Sequence, residues 1–315
     1  MSEAAKSAVL LLAHGSPDSP EDVPAFMNNI TGGRTVPPEA IQEVQHRYAR
    51  IGKSPLRDIT MRQAAALHHE LKLPVFAGMR NWKPYIAEAV QKMAQAGVDR
   101  AVAICLAPQN SRTSVGLYRR ALTEANPTFE VDFVEFWHDH PLLVRAFAER
   151  LAAVWPRVCE ELGARVPVIF TAHSVPERTI AGGDPYADQA RDTAALVSMQ
   201  VSALTVDDWT FAFQSQGMSG GPWIGPTVED TLLALREKGH RGALIQPIGF
   251  VCDHVEVLYD IDILFQEFAA QQGMKLWRTE SLNDSPSFIA ALADVSRSRL
   301  SPAGEKPSLV QIAPQ

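Results

Sequence analysis

Cysteine is scarce. Only Cys105, Cys159 and Cys252 occur in 315 residues, far apart and without a CxxC pair. That spacing excludes a disulfide framework, a zinc ribbon and the four thiolates of an iron–sulfur cluster. The three read as small buried hydrophobes in a reducing compartment. Basic runs are missing too: nothing is longer than Arg119–Arg120, and the formal net charge is −7. Nucleic-acid binding needs a basic stripe to neutralise phosphates, so that class is set aside. No apolar segment approaches the ~18–20 residues of a membrane span. The opening MSEAAKSAVLLLAHG has an apolar run of only about seven residues before His-Gly-Ser-Pro, and does not read as a signal peptide. A cytoplasmic location is therefore expected.

Several familiar fingerprints are absent. No GxGxxG follows the first apolar run, and there is no HExxH. GKS at 52–54 is similar to the end of a P-loop, but Arg47 stands where the first glycine belongs. Phe213 replaces the first glycine of a GxSxG around Ser215, and HVE at 254–256 lacks the PCxxC of zinc deaminases.

What is present is a globular composition, 46% hydrophobic and 21% charged. The length suits one large domain or two of about 150 residues. Short apolar runs at 7–13, 73–79, 101–107, 129–136, 166–172, 208–214, 242–247 and 274–279 predict strands. Helix-period stretches lie between them, at 39–51, 58–72, 83–96, 114–125, 141–162, 184–204, 227–238, 254–272 and 285–299. Near-continuous apolar strands alternating with helices predict a parallel sheet covered on both faces.

The two halves also resemble each other. AVLLLAHGSP at 8–17 matches PVIFTAHSVP at 167–176, each a strand, then Ala-His, then a proline three residues on. AGVDRAVAICLAP at 96–108 matches KGHRGALIQPIGF at 238–250. The expectation is an α/β chain of two similar Rossmann-like domains, each a four-stranded parallel sheet flanked by helices. They are placed at residues 1–150 and 151–283. The helix at 284–300 completes the first, and 301–315 forms a flexible tail. His14 and His173 would each end a strand, where open α/β sheets bind ligands, so a ligand would lie between the domains.

The segment GFVCDHVEVLYDIDILF, 249–265, should open a helix capped by Asp253. Glu256 and Asp260, four apart, share its face, and Asp262 lies off it. Such a pair is either a solvated face or a site for a divalent cation or proton transfer. Either histidine, read alone, is more often a structural ring; the matched placement at two strand ends favours a site. Trp223, in the Gly/Pro-rich QSQGMSGGPWIGP at 214–226, is ordinary packing or a wall for a flat ligand. Arg34, Arg47, Arg50, Lys53, Ser54, Arg112, Tyr118, Arg119 and Arg120 supply solubilising charge or hold ligand carboxylates.

Together these pieces resemble the ferrochelatases, which insert Fe(II) into a porphyrin. The likeness runs from about residue 8 to 300. It rests on AHGSP (13–17), HRYARIGKSPL (46–56), LAPQNSRTSVGLYRRA (106–121), TAHSVPER (171–178), GDPY (183–186), PIGFVCDHVEVLYDID (247–262) and SLNDSPSFIAALAD (281–294). The resemblance implies the class II chelatase-like fold around a porphyrin cleft. HSVP and QSQG are similar to the coproporphyrin branch, whose product is coproheme.

By position, His173 and Glu256 match the family's catalytic pair. His173, Glu256 and Asp260 would meet the metal, and His14 would be the axial ligand of the product iron from the opposite face. Substrate contacts would come from Arg34, Arg47, Ser54, Ser111, Arg112, Tyr118 and Trp223, with Pro222 beside the last. The resemblance implies no organic cofactor and no iron–sulfur cluster. Its partners would be coproporphyrin III, Fe(II) as substrate and a haem-pathway protein, and the chain would be a monomer. A protoporphyrin IX ferrochelatase, a cobalt chelatase and a non-catalytic haem carrier are the alternatives. Three departures stand out: His14 where that branch often has tyrosine, Thr31-Gly32 where it has an arginine pair, and Leu264 where its acidic row continues.

Overall fold

Residues 8–12, Ala-Val-Leu-Leu-Leu, offer apolar side chains to both faces of a strand, which suits a sheet with helices above and below. In the computed structural model, which describes residues 5–217 and 220–300, they form the centre of β1 (Ser7–Ala13) and are fully buried. The other strands are β2 (Val75–Met79), β3 (Arg100–Cys105), β4 (Glu130–Val134), β5 (Val168–His173), β6 (Trp209–Gln214), β7 (Gly242–Pro247) and β8 (Lys275–Arg278). They make two parallel sheets, ordered β2-β1-β3-β4 and β6-β5-β7-β8. The order is the same permutation in both, so the duplication read from the histidine motifs extends to the topology.

The helices are α1 (Val23–Thr31), α2 (Pro38–Ile51), α3 (Leu56–Leu71), α4 (Ile86–Gln95), α5 (Val115–Glu124), α6 (Pro141–Leu162), α7 (Glu177–Ala181), α8 (Tyr186–Gln200), α9 (Val228–Glu237), α10 (Gln266–Gln271) and α11 (Pro286–Leu300). A π-helix, Glu256–Phe265, runs directly into α10. The sequence pattern misses α1, whose VPAFMNNIT carries a proline, two asparagines and a following Gly-Gly, and α7, which has only five residues. The helix expected at 184–204 starts at Tyr186, after Pro185. The expected tail at 301–315 lies outside the described residues.

One core runs under both sheets. Val9 and Leu11 of β1 and Phe170 of β5 share it with Phe147 and Leu151 of α6 and with Phe288 and Leu292 of α11. The join expected at 150/151 therefore falls inside α6, which connects the sheets, and α11 packs on α6 and α3. Separate clusters seat α4 and α5 on the outer face of the first sheet, and α9, the π-helix and α10 on that of the second. Helices α1 and α2 have only a small cluster of their own, Val23, Met27 and Tyr48, joined by Val255.

Candidate active site

Both strand-end histidines take the same posture. His14 follows β1 with its Nδ1 3.0 Å from the Gly15 carbonyl oxygen. His173 closes β5 with its Nδ1 against the Ser174 carbonyl oxygen. A carbonyl only accepts, so Nδ1 carries the hydrogen in each ring and Nε2 is left for the cleft. Gly15 makes the turn possible on its side: its φ is +85°, and a Cβ there would lie 2.9 Å from the Trp82 backbone nitrogen.

On the β5 side, His173 Nε2 is 3.3 Å from Glu256 Oε1, and His254 Nε2 is 3.2 Å from Glu256 Oε2. One carboxylate thus lies between two imidazoles. Phe250 stacks edge-on against His254 at 4.5 Å between ring centroids and lies 6.4 Å from His173. The Glu256 backbone carbonyl accepts from Gln214 Nε2 at 3.0 Å, and Gln214 Oε1 accepts from Thr171 at 2.6 Å. The pair lines an open cleft, with side-chain exposures of 28% and 34%. Burial opposes charge on His173. The carboxylate of Glu256, by charge and hydrogen bond, the Ser174 carbonyl and Asp260 outweigh it and raise the pKa to about 9. For Glu256, burial is likewise overcome by His173 and His254, which hold it well below the ordinary carboxylate range.

The π-helix carries the acidic row. Its wider i→i+5 turn keeps residues four apart nearly stacked, and such turns recur at functional sites. Asp260 is buried and accepts from Ser215 Oγ, with Arg47 Nη1 3.6 Å from its Oδ1. Burial, with Glu256's charge, raises its pKa despite Ser215 and Arg47. Asp262, off that face as expected, takes a two-pronged bond from Arg278 at 2.7 and 2.9 Å. Asp253 does not cap the helix. Its carboxylate accepts from Ser281 at 2.7 Å, Asn283 at 2.8 Å and Arg278 at 3.3 Å, which ties the loop after β7 to the end of β8.

On the β1 side, His14 is accessible from the cleft, with Phe26 edge-on at 5.9 Å and Trp82 packed 6.2 Å from Phe26. Burial on the cleft wall, then the charge of Arg80, lowers the His14 pKa to about 4. Water in the open cleft softens that push until a ligand displaces it. At the resting state the two walls are therefore opposite in character, a neutral imidazole facing a charged one.

The other expected site residues are scattered. Trp223 sits 6.3 Å from the His173 ring, on a loop pinned to the end of β5 by Ser174 Oγ donating to the Ile224 carbonyl at 2.7 Å. Tyr118 is buried, which raises its pKa, under Arg80 at 5.9 Å. Arg47 is engaged by Glu43 at 3.0 Å and by Asp260, and lies over Tyr259. Ser54 is buried, its hydroxyl accepting the Leu56 N–H at 3.4 Å. Ser111 donates to Asp184 at 3.1 Å, and Arg112 donates to the carbonyls of Arg178 and Thr179 at 3.0 and 2.6 Å. Those two join the halves of the molecule. Arg34 is exposed, bonded to the Thr31 carbonyl at 3.0 Å. Among the described residues, no group of three or more His, Cys, Asp or Glu side chains is already arranged to hold a metal ion.

Sequence reasoning missed His254, which it met only as part of a failed deaminase motif, and Tyr186, a buried phenol near the His173 backbone. Tyr186 did lie within the quoted GDPY.

Gly249 sets the spacing of this site. A Cβ there would meet Ala172 Cβ at 2.7 Å and Cα at 2.8 Å, one residue before His173. Gly249→Ala is expected to cost about 1–3 kcal/mol through forced separation of the two backbones. The urea midpoint reads this directly, and an unchanged midpoint would show that the loop yields freely.

The sequence profile of the ferrochelatase family matches residues 6–300. A ferrochelatase of Acidobacterium capsulatum is 54% identical, covering 94% of this chain and 95% of the relative. A coproporphyrin III ferrochelatase of a Geobacillus species is 34% identical, covering 94% and 98%. Among solved structures, the sirohydrochlorin chelatase SirB of Bacillus subtilis superposes with a TM-score of 0.52 at 11% identity over 93% of this chain and 94% of that one, a likeness of fold. With the duplicated sheets and the histidine–carboxylate pair at the cleft, these matches mean that the chain belongs to the ferrochelatase family of metal chelatases.

Proposed function

We propose that the chain inserts Fe(II) into coproporphyrin III to give coproheme. The observation that carries the reading is the His173–Glu256–His254 row facing His14 across a strand-end cleft. Metal insertion must remove two pyrrole protons and supply a dication to the ring nitrogens. Glu256, ionised at rest, is placed to take a pyrrole proton; His173 is charged at rest and its Nε2 can take the other only after releasing its own proton, with His254 closing the row. Once deprotonated, the same side chains offer donors to incoming Fe(II). His14 stays neutral, so its Nε2 lone pair is free to meet the iron of the product from the other face.

The tetracarboxylate substrate is supported by the HSVP and QSQG motifs and by the likeness to relatives named for coproporphyrin III. No helix among the described residues is long and apolar enough to cross a membrane.

The test is anaerobic Fe(II) insertion with coproporphyrin III and protoporphyrin IX in parallel. The expected kcat/KM is about tenfold or more higher for coproporphyrin III, the scale of one or two charge-assisted hydrogen bonds. Equal or reversed values would refute the substrate. Tight binding of coproheme with no insertion into free porphyrin would refute the enzyme.

A further inference from the structure

Among the described residues, every arginine except one hydrogen-bonds or ion-pairs with the protein. The exception is Arg80. It follows β2, and its backbone N–H donates to the Ala13 carbonyl at 3.0 Å, so it starts from the same sheet end as His14. Its guanidinium lies 5.9 Å from the centre of the Tyr118 ring, and its Nε is buried with no hydrogen-bond partner. No carboxylate neighbours it; the charged side chain that acts on it is Arg120, of like sign. Burial accordingly holds its pKa below the ordinary arginine value.

An unpaired, largely buried cation destabilises the ligand-free fold. Such a group is retained where something else supplies the missing charge. The duplicated topology sharpens this. By strand register Gln214, at the end of β6, occupies the matching position: it bonds Thr171 and the Glu256 carbonyl, and Ser215 beside it donates to Asp260. One side of the cleft thus carries a cation without an anion, and the other carries carboxylates. The arginines expected to receive ligand carboxylates are already occupied: Arg47 by Glu43 and Asp260, Arg112 by backbone carbonyls.

We propose that Arg80 is an anion receptor in the cleft, which takes a carboxylate carried on the edge of the bound tetrapyrrole. The nature of the anion rests on the porphyrin reading above, whereas the unpaired site does not. Arg80 then supplies part of what is lost where Thr31-Gly32 replace the arginine pair.

The test compares Arg80→Met and Arg80→Lys with the unmodified chain. Fluorescence titration measures binding of coproporphyrin III and of its tetramethyl ester, delivered in neutral detergent micelles. The ester keeps the ring and loses the charges. For Arg80→Met, affinity for the acid is expected to fall about tenfold or more, and affinity for the ester to stay unchanged. Arg80→Lys should restore part of the loss, since it returns the charge without the fork. The ligand-free Tm of Arg80→Met should be equal or higher, because an uncompensated charge has been removed. Unchanged acid binding, an equal loss for acid and ester, or a lowered Tm would each overturn the proposal. If the unmodified chain bound no coproporphyrin III, the porphyrin reading itself would fall, a result distinct from normal binding that ignores Arg80.

Discussion

Alanine at His173 is expected to leave porphyrin binding nearly intact while cutting Fe(II) insertion by about 10²–10⁴-fold, the range of a lost acid–base group. His173 is the side chain that Glu256, Ser174 and Asp260 all act on. Removing the ring leaves Glu256 with His254 alone. Stopped-flow absorbance for insertion and fluorescence quenching for binding separate the two effects. Wild-type turnover in this variant would refute the role.

Glu256→Gln gives the companion result. The charge that raises His173 is gone, burial's downward push dominates, and the His173 pKa should fall from about 9 to or below the ordinary 6.5. An NMR titration of its Cε1 proton reads this, and a pKa still near 9 would break the assigned cause. Stability follows with a definite sign. His173, raised from 6.5 to about 9, adds stability that is whole below pH 6.5 and is lost as pH rises through 9. Glu256, lowered from 4.5, adds stability that is whole above 4.5 and is lost as pH falls through its depressed value. The pair therefore supports the fold most fully between 4.5 and 6.5, and the variant should lose that advantage.

The second large effect is expected at Arg278, far from any reacting atom. Its guanidinium, 15% exposed, holds Asp262 of the π-helix with two bonds and reaches Asp253 on the preceding loop. Arg278→Met would leave Asp262 half-buried and unpaired, and Asp253 with Ser281 and Asn283 but no cation. Breaking a fully buried pair from one side costs about 3–5 kcal/mol. Asp262 is 33% exposed, so we expect roughly 2–3 kcal/mol, discounted for solvent screening. Urea unfolding measures it. Insertion should fall as well, because the π-helix that presents Glu256 and Asp260 loses its anchor. Arg278→Lys should recover charge but not the fork, and so restore only part of the stability. Wild-type stability in Arg278→Met would show that the π-helix holds its shape without this tie.

The strands were legible because their apolar runs are continuous, and the duplication because Ala-His recurs at matched strand ends. His173, Glu256 and Asp260 could be chosen from spacing and resemblance, since four residues mark one helix face. The π-turn itself left no trace in the sequence: the same residues would also fit an α-helix, and the tie from Arg278 to Asp262 acts across the fold. His254 escaped notice because nothing in its spacing shows that a carboxylate has two oxygens to share. Asp253 looked like a cap and is instead a hub for Ser281, Asn283 and Arg278, thirty or fewer residues along the chain. Arg80 could not be chosen at all, since lacking a partner is a property of three dimensions.

The core that runs without a break from β1 through α6 to β5 and α11 has a mechanical consequence. A hinge between the sheets would have to tear that core open. Both histidines therefore ride on a stiff frame, and the softer cover is α1 and α2, held by a few apolar side chains and by Arg47 on the π-helix. When a rigid jaw meets a flexible disc, the disc bends. On the function proposed above, the compliance needed to expose the ring nitrogens would reside in the macrocycle, and the gap between His14 and His173 would act as a fixed gauge against which it is deformed.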